Sequence, residues 1–190
     1  MSPQFCVIIP MFNVAEAIGA NIAALRRQSY PDFRCVLIDD LSTDGTPAAV
    51  QAATAGDTRF ELVINDEKKY ALRNAVEAIG ATCEHDDEII VPVDGDDQLM
   101  HKDVLAHVAD VYATQDCWLT YGSYANERGE RGRECSPYPK QILERGNFRR
   151  SPWHASHLKT FRFGLWRQVP EDAFRATPEE QRAVCRWALM

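Results

Sequence analysis

Residues 34–47 read RCVLIDDLSTDGTP, and the fold follows from how this stretch is parsed. Cys35–Ile38 is a short apolar run without polar alternation, the pattern of a strand buried on both faces. It ends in two adjacent carboxylates, Asp39 and Asp40. Ser42, Thr43, Asp44 and Gly45 then supply turn chemistry. Thr46 followed by Pro47 reads as an N-cap with proline at the first helical position. Buried strand, acidic end, turn and helix start make one unit of a parallel α/β sheet.

The unit recurs in both directions. Phe5–Pro10 (FCVIIP) is a buried strand, and the helix after it spans Ala15–Gln28. That helix carries Ile18, Ile22 and Leu25 on one face and Arg26 and Arg27 in its last turn, where cations suit the helix dipole. Phe60–Asn65 is a third strand, with a helix from about Lys69 to Ala81 behind it. Glu88–Val93 is a fourth, followed by the acidic turn Asp94–Asp97 and a helix over His101–Thr114. Trp118–Tyr124 reads as a further strand. Strands alternating with helices predict an α/β fold with a mostly parallel sheet covered on both faces.

A length of 190 residues suits one domain, and 45% apolar with 26% charged residues is an ordinary globular composition. No run approaches the roughly 18 apolar residues of a membrane span. The start, Met1-Ser2-Pro3-Gln4, lacks the basic and apolar regions of a signal peptide, so a cytoplasmic location is expected. The net charge of −7 is uneven: residues 1–125 hold 8 Lys/Arg against 20 Asp/Glu, and residues 126–190 hold 13 against 8. This is not the concentrated basic face of a duplex-DNA binder, and no nucleic-acid partner is expected. The six cysteines, at 6, 35, 83, 117, 135 and 185, include no C-x-x-C pair and read as reduced thiols rather than zinc ligands or disulfides.

In parallel sheets ligands bind at the carboxyl ends of the strands. Those ends carry Pro10 to Asn13, Asp39-Asp40 and Asp94-Gly95-Asp96-Asp97. Three carboxylates in four positions repel one another unless a cation intervenes. Magnesium and manganese take such hard oxygen ligands together with substrate phosphates. Gly95 lets the backbone turn sharply and a ligand approach closely. The alternative for each motif taken singly is turn chemistry: an Asp-Gly turn capping a helix, or an aromatic that only packs its loop.

Jointly the motifs resemble glycosyltransferase family 2. The resemblance rests on Pro10-Met11-Phe12-Asn13, on Tyr30-Pro31-Asp32-Phe33, and on Asp39-Asp40-Leu41-Ser42-Thr43-Asp44-Gly45-Thr46. It continues through Asn65 with Ala71, Arg73 and Asn74, and through Asp94-Gly95-Asp96-Asp97, in order over about 100 residues. It implies a GT-A, Rossmann-like three-layer α/β sandwich. Residues 1–125 are then the nucleotide-sugar-binding core, and 126–190 a shortened acceptor-side segment of the same domain.

The resemblance further implies transfer of a sugar from a nucleotide-diphosphate sugar, UDP-linked, to a glycan, lipid-carrier or protein acceptor. Transfer inverts the anomeric configuration and is assisted by Mn²⁺ or Mg²⁺. On the matching positions, Pro10, Phe12 and Asp39 border the base, Asp40 and Asp94 lie toward the nucleoside, and Arg73 lies near the nucleotide. Asn13 and Gly95 belong to the same substrate-binding set, and Asp96 is the metal ligand. The metal neutralises the departing diphosphate, while a carboxylate base takes the acceptor proton.

The acceptor half resembles the family less. Ser151–Arg167 (SPWHASHLKTFRFGLWR) is read as a helix, with Leu158, Phe161 and Leu165 facing the core. His154, His157, Lys159 and Arg162 are left to meet phosphate, metal or sugar, His157 being the substrate-binding candidate. Asp172 is the candidate catalytic base. Arg186 stands where the family carries an acid, which leaves an inactive nucleotide-binding module derived from such an enzyme as the alternative. A haloacid-dehalogenase-type phosphatase would want Thr or Val where Gln98 stands, and a nucleotidylyltransferase would want a Gly-rich loop after the first strand.

Overall fold

The computed structural model describes residues 3–126, 128–132 and 136–174. Six strands form one sheet: β1 (Phe5–Met11), β2 (Phe33–Asp39), β3 (Phe60–Ile64), β4 (Ile89–Pro92), β5 (Leu119–Gly122) and β6 (Ser156–Arg162). The helices are α1 (Ile18–Arg26), α2 (Thr46–Thr54), α3 (Tyr70–Thr82), α4 (Val104–Thr114), α5 (Lys140–Arg145) and α6 (Phe163–Trp166). The strand order is β3-β2-β1-β4-β6-β5. β1, β2, β3 and β4 run parallel, and β6 is antiparallel to both β4 and β5. The expected mostly parallel α/β sandwich is therefore present.

β1 is the central strand, and its side chains divide the core by simple alternation. Phe5, Val7, Ile9 and Met11 pack on one face with Ile18, Ile22 and Leu25 of α1, Val50 of α2, and Leu105 and Ala109 of α4. Cys6 and Ile8 pack on the other with Ala78 and Ile79 of α3 and Phe163 of α6. Cys6, Cys35 and Cys83 are buried free thiols and Cys117 is half-buried, as expected for reduced cysteines. Burial pushes the Cys35 thiol up. Cys135 and Cys185 lie outside the described residues. No helix among the described residues is long and apolar enough to cross a membrane.

Two local expectations are corrected. Thr46 does not cap α2; Gly45, with φ 89°, occupies that position and Thr46 opens the helix. The capping acceptor is Asp44 Oδ1, which takes the Thr46 N–H at 3.0 Å. Likewise α4 begins at Val104 rather than His101, and Gln28, just past α1, supplies the acceptor for the Leu105 N–H at 3.0 Å.

The larger correction is Ser151–Arg167, which is not one helix. Ser156–Arg162 is a strand, with only Phe163–Trp166 helical after it. Leu158 and Phe161, three residues apart, share a face in a helix but point to opposite faces in a strand. Here Leu158 packs with the α1 side of the core and Phe161 with the α3 side. Thr160, fully buried between them in sequence, joins the hydroxyls of Tyr112 at 2.9 Å and Thr120 at 2.7 Å. A slot beside β4 that needs side chains on both faces is filled by a strand, whatever the helical spacing suggests.

Candidate functional site

The carboxyl ends of β1, β2 and β4 meet where the strand order changes direction between β1 and β4, the crevice in which such sheets bind ligands. The loop after β1 and the turn after β2 are bonded into one unit. Asn13 donates its N–H to Ser42 Oγ at 2.9 Å and accepts the Thr43 N–H on Oδ1 at 2.8 Å. The Val14 N–H reaches Thr46 Oγ1 at 2.9 Å, and the Ala15 N–H reaches Asp44 Oδ2 at 3.0 Å. Hydrogen bonds from the Thr46 side chain and the Ala15 backbone hold the Asp44 carboxyl below its usual range. The D-x-S-x-D-G-T stretch thus splices two loops together, a structural task for the residues that sequence reading assigns to a turn.

Among the described residues, the non-glycine residues with positive φ are Asn13 (55°), Leu41 (63°) and Tyr70 (64°). All three border this crevice. Left-handed backbone of this kind is uncommon away from glycine and gathers at functional sites.

Asp39 and Asp40 are adjacent and both buried, yet they do different work. Asp40 accepts the Lys69 N–H (2.8 Å) and the Asn65 amide (2.9 Å) on Oδ1, and the Tyr70 N–H (2.9 Å) on Oδ2. Lys68 Nζ stands 3.4 Å from Oδ2. Burial opposes ionisation, but the Lys69, Asn74, Asn65 and Tyr70 donors outweigh it and bring the carboxyl down to about 2. Asp40, just past the end of β2, supplies the acceptors for the N–H groups at the start of α3. Asp39 receives only the Ser42 N–H, on Oδ2 at 3.0 Å. Its Oδ1 is buried without a hydrogen-bond partner. A buried carboxylate oxygen left in this way costs on the order of 1–3 kcal/mol until a donor reaches it.

Phe12 is half exposed beside these groups, with Lys68 Nζ 2.9 Å from its ring centroid. Pro10 precedes it in β1, paired with Ile38 of β2.

The acidic turn after β4 is seated on β1 and α1. Asn21 donates to the Asp94 carbonyl at 3.0 Å. Gly95 is buried, and a Cβ there would stand 3.2 Å from Val14 Cγ2 and 3.3 Å from Met11 Cγ. A side chain there would press on Val14 and Met11, which would have to give by a few tenths of an ångström.

β6 brings the remaining piece. Phe161 pairs with Ile90, and β6 runs opposite to β4. Four residues at about 3.3 Å each carry β6 from Phe161 back to His157, and β4 forward from Ile90 to Asp94, by the same distance. His157 Nε2 accordingly lies 3.8 Å from Asp94 Oδ2 and 4.0 Å from Asp97 Oδ2. Ligand atoms of these three exposed residues all fall within 4.8 Å of one another. Two carboxylates at that spacing repel by about 1 kcal/mol in water, and a divalent cation between them reverses the sign. Loss of solvent, with the Asp94 and Asp96 charges behind it, raises the Asp97 carboxyl, and His157 opposes the rise. The set of two carboxylates and an imidazole fits a divalent ion of the magnesium or manganese type.

The other expected residues fall as follows. Asp96 is exposed in the same turn but is not one of the three grouped residues. Arg73 is exposed on α3 and held by Glu77 at 2.8 Å and Glu67 at 3.0 Å. Asp172 lies in a 3-10 turn, Glu171–Phe174, and its side chain is outside the described part of the structure. Arg186 also lies outside the described residues. Lys68, Asp97 and Asn21 were not in the expected set. Asp97 sat within the quoted motif, whereas Lys68 and Asn21 carry no local signal.

The sequence model of the family described as Glycosyl transferase family 2 matches residues 6–170. A PGL/p-HBAD biosynthesis glycosyltransferase of Mycobacterium bovis is 32% identical over 111 residues, which is 57% of this chain and 41% of that protein. Mannosyltransferase PcManGT of Pyrobaculum calidifontis, solved in complex with GDP-Man and Mn²⁺, superimposes with a TM-score of 0.59 at 26% identity. That likeness covers 67% of this chain and 37% of that one. S. aureus TarS 1–349, solved in complex with UDP-GlcNAc, superimposes with a TM-score of 0.66 at 20% identity, covering 86% of this chain and 46% of that one. At that identity the likeness to TarS is one of fold. The alignments span less than half the length of the curated relatives they match, 47% and 41% in two of them.

Proposed function

The chain belongs to glycosyl transferase family 2, and from that premise we propose that it binds a nucleotide-diphosphate sugar, UDP-linked, and transfers the sugar with inversion to an acceptor hydroxyl. Residues 1–125 supply the donor core and 126–190 the acceptor side. The observation that carries this reading is the convergence of Asp94, Asp97 and His157 within 4.8 Å on the edge that holds the unpartnered Asp39 oxygen and the exposed Phe12 ring. The base stacks on Phe12 below Pro10 and gives an N–H to Asp39. Asn13 and Asp40 hold the loops that shape this pocket, with Gly95 allowing the donor to approach the backbone.

The Asp94–Asp97 turn and His157 would hold Mn²⁺ or Mg²⁺, which when bound neutralises the leaving diphosphate. Asp96, in the same turn, is the competing metal ligand. Arg73, exposed on α3, is assigned to the phosphates, which it would meet on releasing Glu67 and Glu77. Asp172 is the carboxylate assigned as base for the acceptor proton. The likeness to PcManGT, solved with GDP-Man and Mn²⁺, supports the donor class and the metal. The acceptor remains a glycan, a lipid carrier or a protein.

Thermal unfolding with UDP, GDP and CDP, each with and without Mn²⁺, tests this directly. A nucleotide at about 100 times its dissociation constant stabilises the fold by roughly 2.7 kcal/mol. The expected result is a shift that needs both nucleotide and metal, followed by release of UDP from a UDP-sugar. No shift with any nucleotide overturns the reading. Binding without turnover, with Asp172→Asn matching the parent, reduces it to a nucleotide-binding module.

A further inference from the structure

Lys68 is a residue without an assigned task whose placement is unusual. It lies in the loop between β3 and α3, and that loop is pinned by Asp40 through the N–H groups of the next two residues, Lys69 and Tyr70. Its ammonium donates to the Asp40 carbonyl at 2.9 Å and stands 3.4 Å from Asp40 Oδ2. It also rests 2.9 Å from the centroid of the Phe12 ring. A cation in that position is held by the ring quadrupole. Next along the chain from this carbonyl anchor, Asp39 keeps a buried oxygen with no partner.

These two groups are chemically complementary. An ionised carboxylate only accepts hydrogen bonds, and an ammonium only donates them. A flat heterocycle laid on Phe12 therefore meets an acceptor at Asp39 and a donor at Lys68. Bases that carry a ring N–H beside a carbonyl match this pair: uracil at N3–H and O4, guanine at N1–H and O6. Cytosine and adenine present a bare ring nitrogen beside an amino group, the reverse pattern. In them the amino group would face the ammonium and the lone pair would face the carboxylate.

We infer that Lys68 is the base-reading residue of the donor site, selecting keto bases, uracil or guanine, against amino bases, cytosine or adenine. The inference rests on the donor-binding reading above and extends it to the chemistry of the base. A base arriving on Phe12 displaces the ammonium from the ring face to the base edge. The side chain stays tethered to Asp40 as it moves.

The test is calorimetric binding of UDP, GDP, CDP, ADP and uridine to the parent, Lys68→Met and Lys68→Arg. The parent should prefer UDP or GDP over CDP and ADP by tenfold or more. Lys68→Met should lose roughly tenfold for the preferred nucleotide, the order expected of a charged hydrogen bond. It should change little for CDP and lose the same factor for uridine. Lys68→Arg, which keeps a cationic donor, should retain the preference. Circular dichroism melting confirms that the variants fold.

Loss for UDP without loss for uridine assigns Lys68 to the phosphates and overturns the inference. Equal loss, or a gain, for all nucleotides makes it a mere occupant of the ring face and also overturns it. A parent that binds nucleotides without preference defeats this inference alone, whereas a parent that binds none defeats the donor-site reading as well.

Discussion

The loops at the ends of β1 and β2 and the pair β5–β6 stand on opposite sides of the acidic turn, and aromatic contacts gather on only one of them. On the first side the ties are directional: Asn13 to Ser42 and Thr43, Val14 to Thr46, Ala15 to Asp44, Asp40 to the start of α3. On the second, the β5–β6 ladder and the bonds of Tyr138 N–H to the Tyr121 hydroxyl (3.0 Å) and of Ser136 to His154 (2.8 Å) are joined by a set of ring contacts. Tyr138 meets Tyr121, Phe148 and His154 with centroids 5.7, 5.1 and 5.0 Å apart, and Tyr124 stands edge-on to His157 at 6.1 Å. Trp153 is 58% exposed with the Lys159 ammonium over its ring at 4.4 Å. Hydrogen bonds fix positions to fractions of an ångström, while aromatic contacts tolerate sliding. On the proposed function the first side holds the nucleotide and the second faces the acceptor.

The largest effect should fall on the turn between the two sides. Asp94→Ala should weaken Mn²⁺-dependent UDP binding by a hundredfold or more in a calorimetric titration and leave metal-free binding nearly unchanged. Asp97→Ala and His157→Ala should follow it. If Asp96→Ala is as severe while Asp97→Ala is silent, the metal sits on the other carboxylate, and the link between the two sides through His157 is broken.

Next comes the hydrogen-bonded side itself. Asp40→Ala leaves the Lys69 and Tyr70 N–H groups and the Asn65 amide without their acceptor. It should cost about 2–4 kcal/mol in urea unfolding. Because the folded carboxyl is depressed from 3.8 to about 2, its contribution is complete above pH 4 and is lost as the pH falls toward 2. That loss is about 2 kcal/mol by linkage. An acid-unfolding curve that does not steepen in this window relative to Asp40→Ala would remove the assignment.

A smaller effect is expected at Gly122, where a Cβ would stand 3.0 Å from both the His157 carbonyl oxygen and the Leu158 nitrogen. Gly122→Ala should displace His157 and weaken the metal-dependent binding by about tenfold, with stability changed by about 1 kcal/mol. Unchanged binding would show that His157 is not held through β5. The smallest effect is Trp153→Ala: within about 0.5 kcal/mol in stability, as for exposed side chains away from special features, and none on UDP affinity. A large loss of UDP affinity there would end the division between the two sides.

Much of the first side was legible in advance because its information is local. Cys35–Ile38 followed by Asp39 and Asp40, and Ile89–Val93 followed by Asp94-Gly95-Asp96-Asp97, each read as a buried strand with carboxylates at its end from neighbouring residues alone. What differs there are helix starts: Thr46 is not the cap of α2, α4 begins after His101, and the acceptors come from Asp44 and Gln28. The second side misled because Leu158, Phe161 and Leu165 have helical spacing and the strand they interrupt pairs only with distant partners. The resemblance sets Asp40 among the substrate-binding residues; that its oxygens also accept from Lys69, Tyr70 and Asn65 is something only packing reveals.

By itself the sequence determined the alternation of strands and helices, the buried character of β1, β2 and β4, and the placing of carboxylates at strand ends. These depend on side-chain periodicity and on turn chemistry between neighbours in the chain. The tertiary structure alone decided the order β3-β2-β1-β4-β6-β5 and the antiparallel entry of β6. With them it decided the meeting of His157 with Asp94, 63 positions apart, the burial of an Asp39 oxygen without a partner, and the seating of the Lys68 ammonium over Phe12. Strand partners and register are set by which edge is open and by both faces of the core at once, and no window of sequence contains that information.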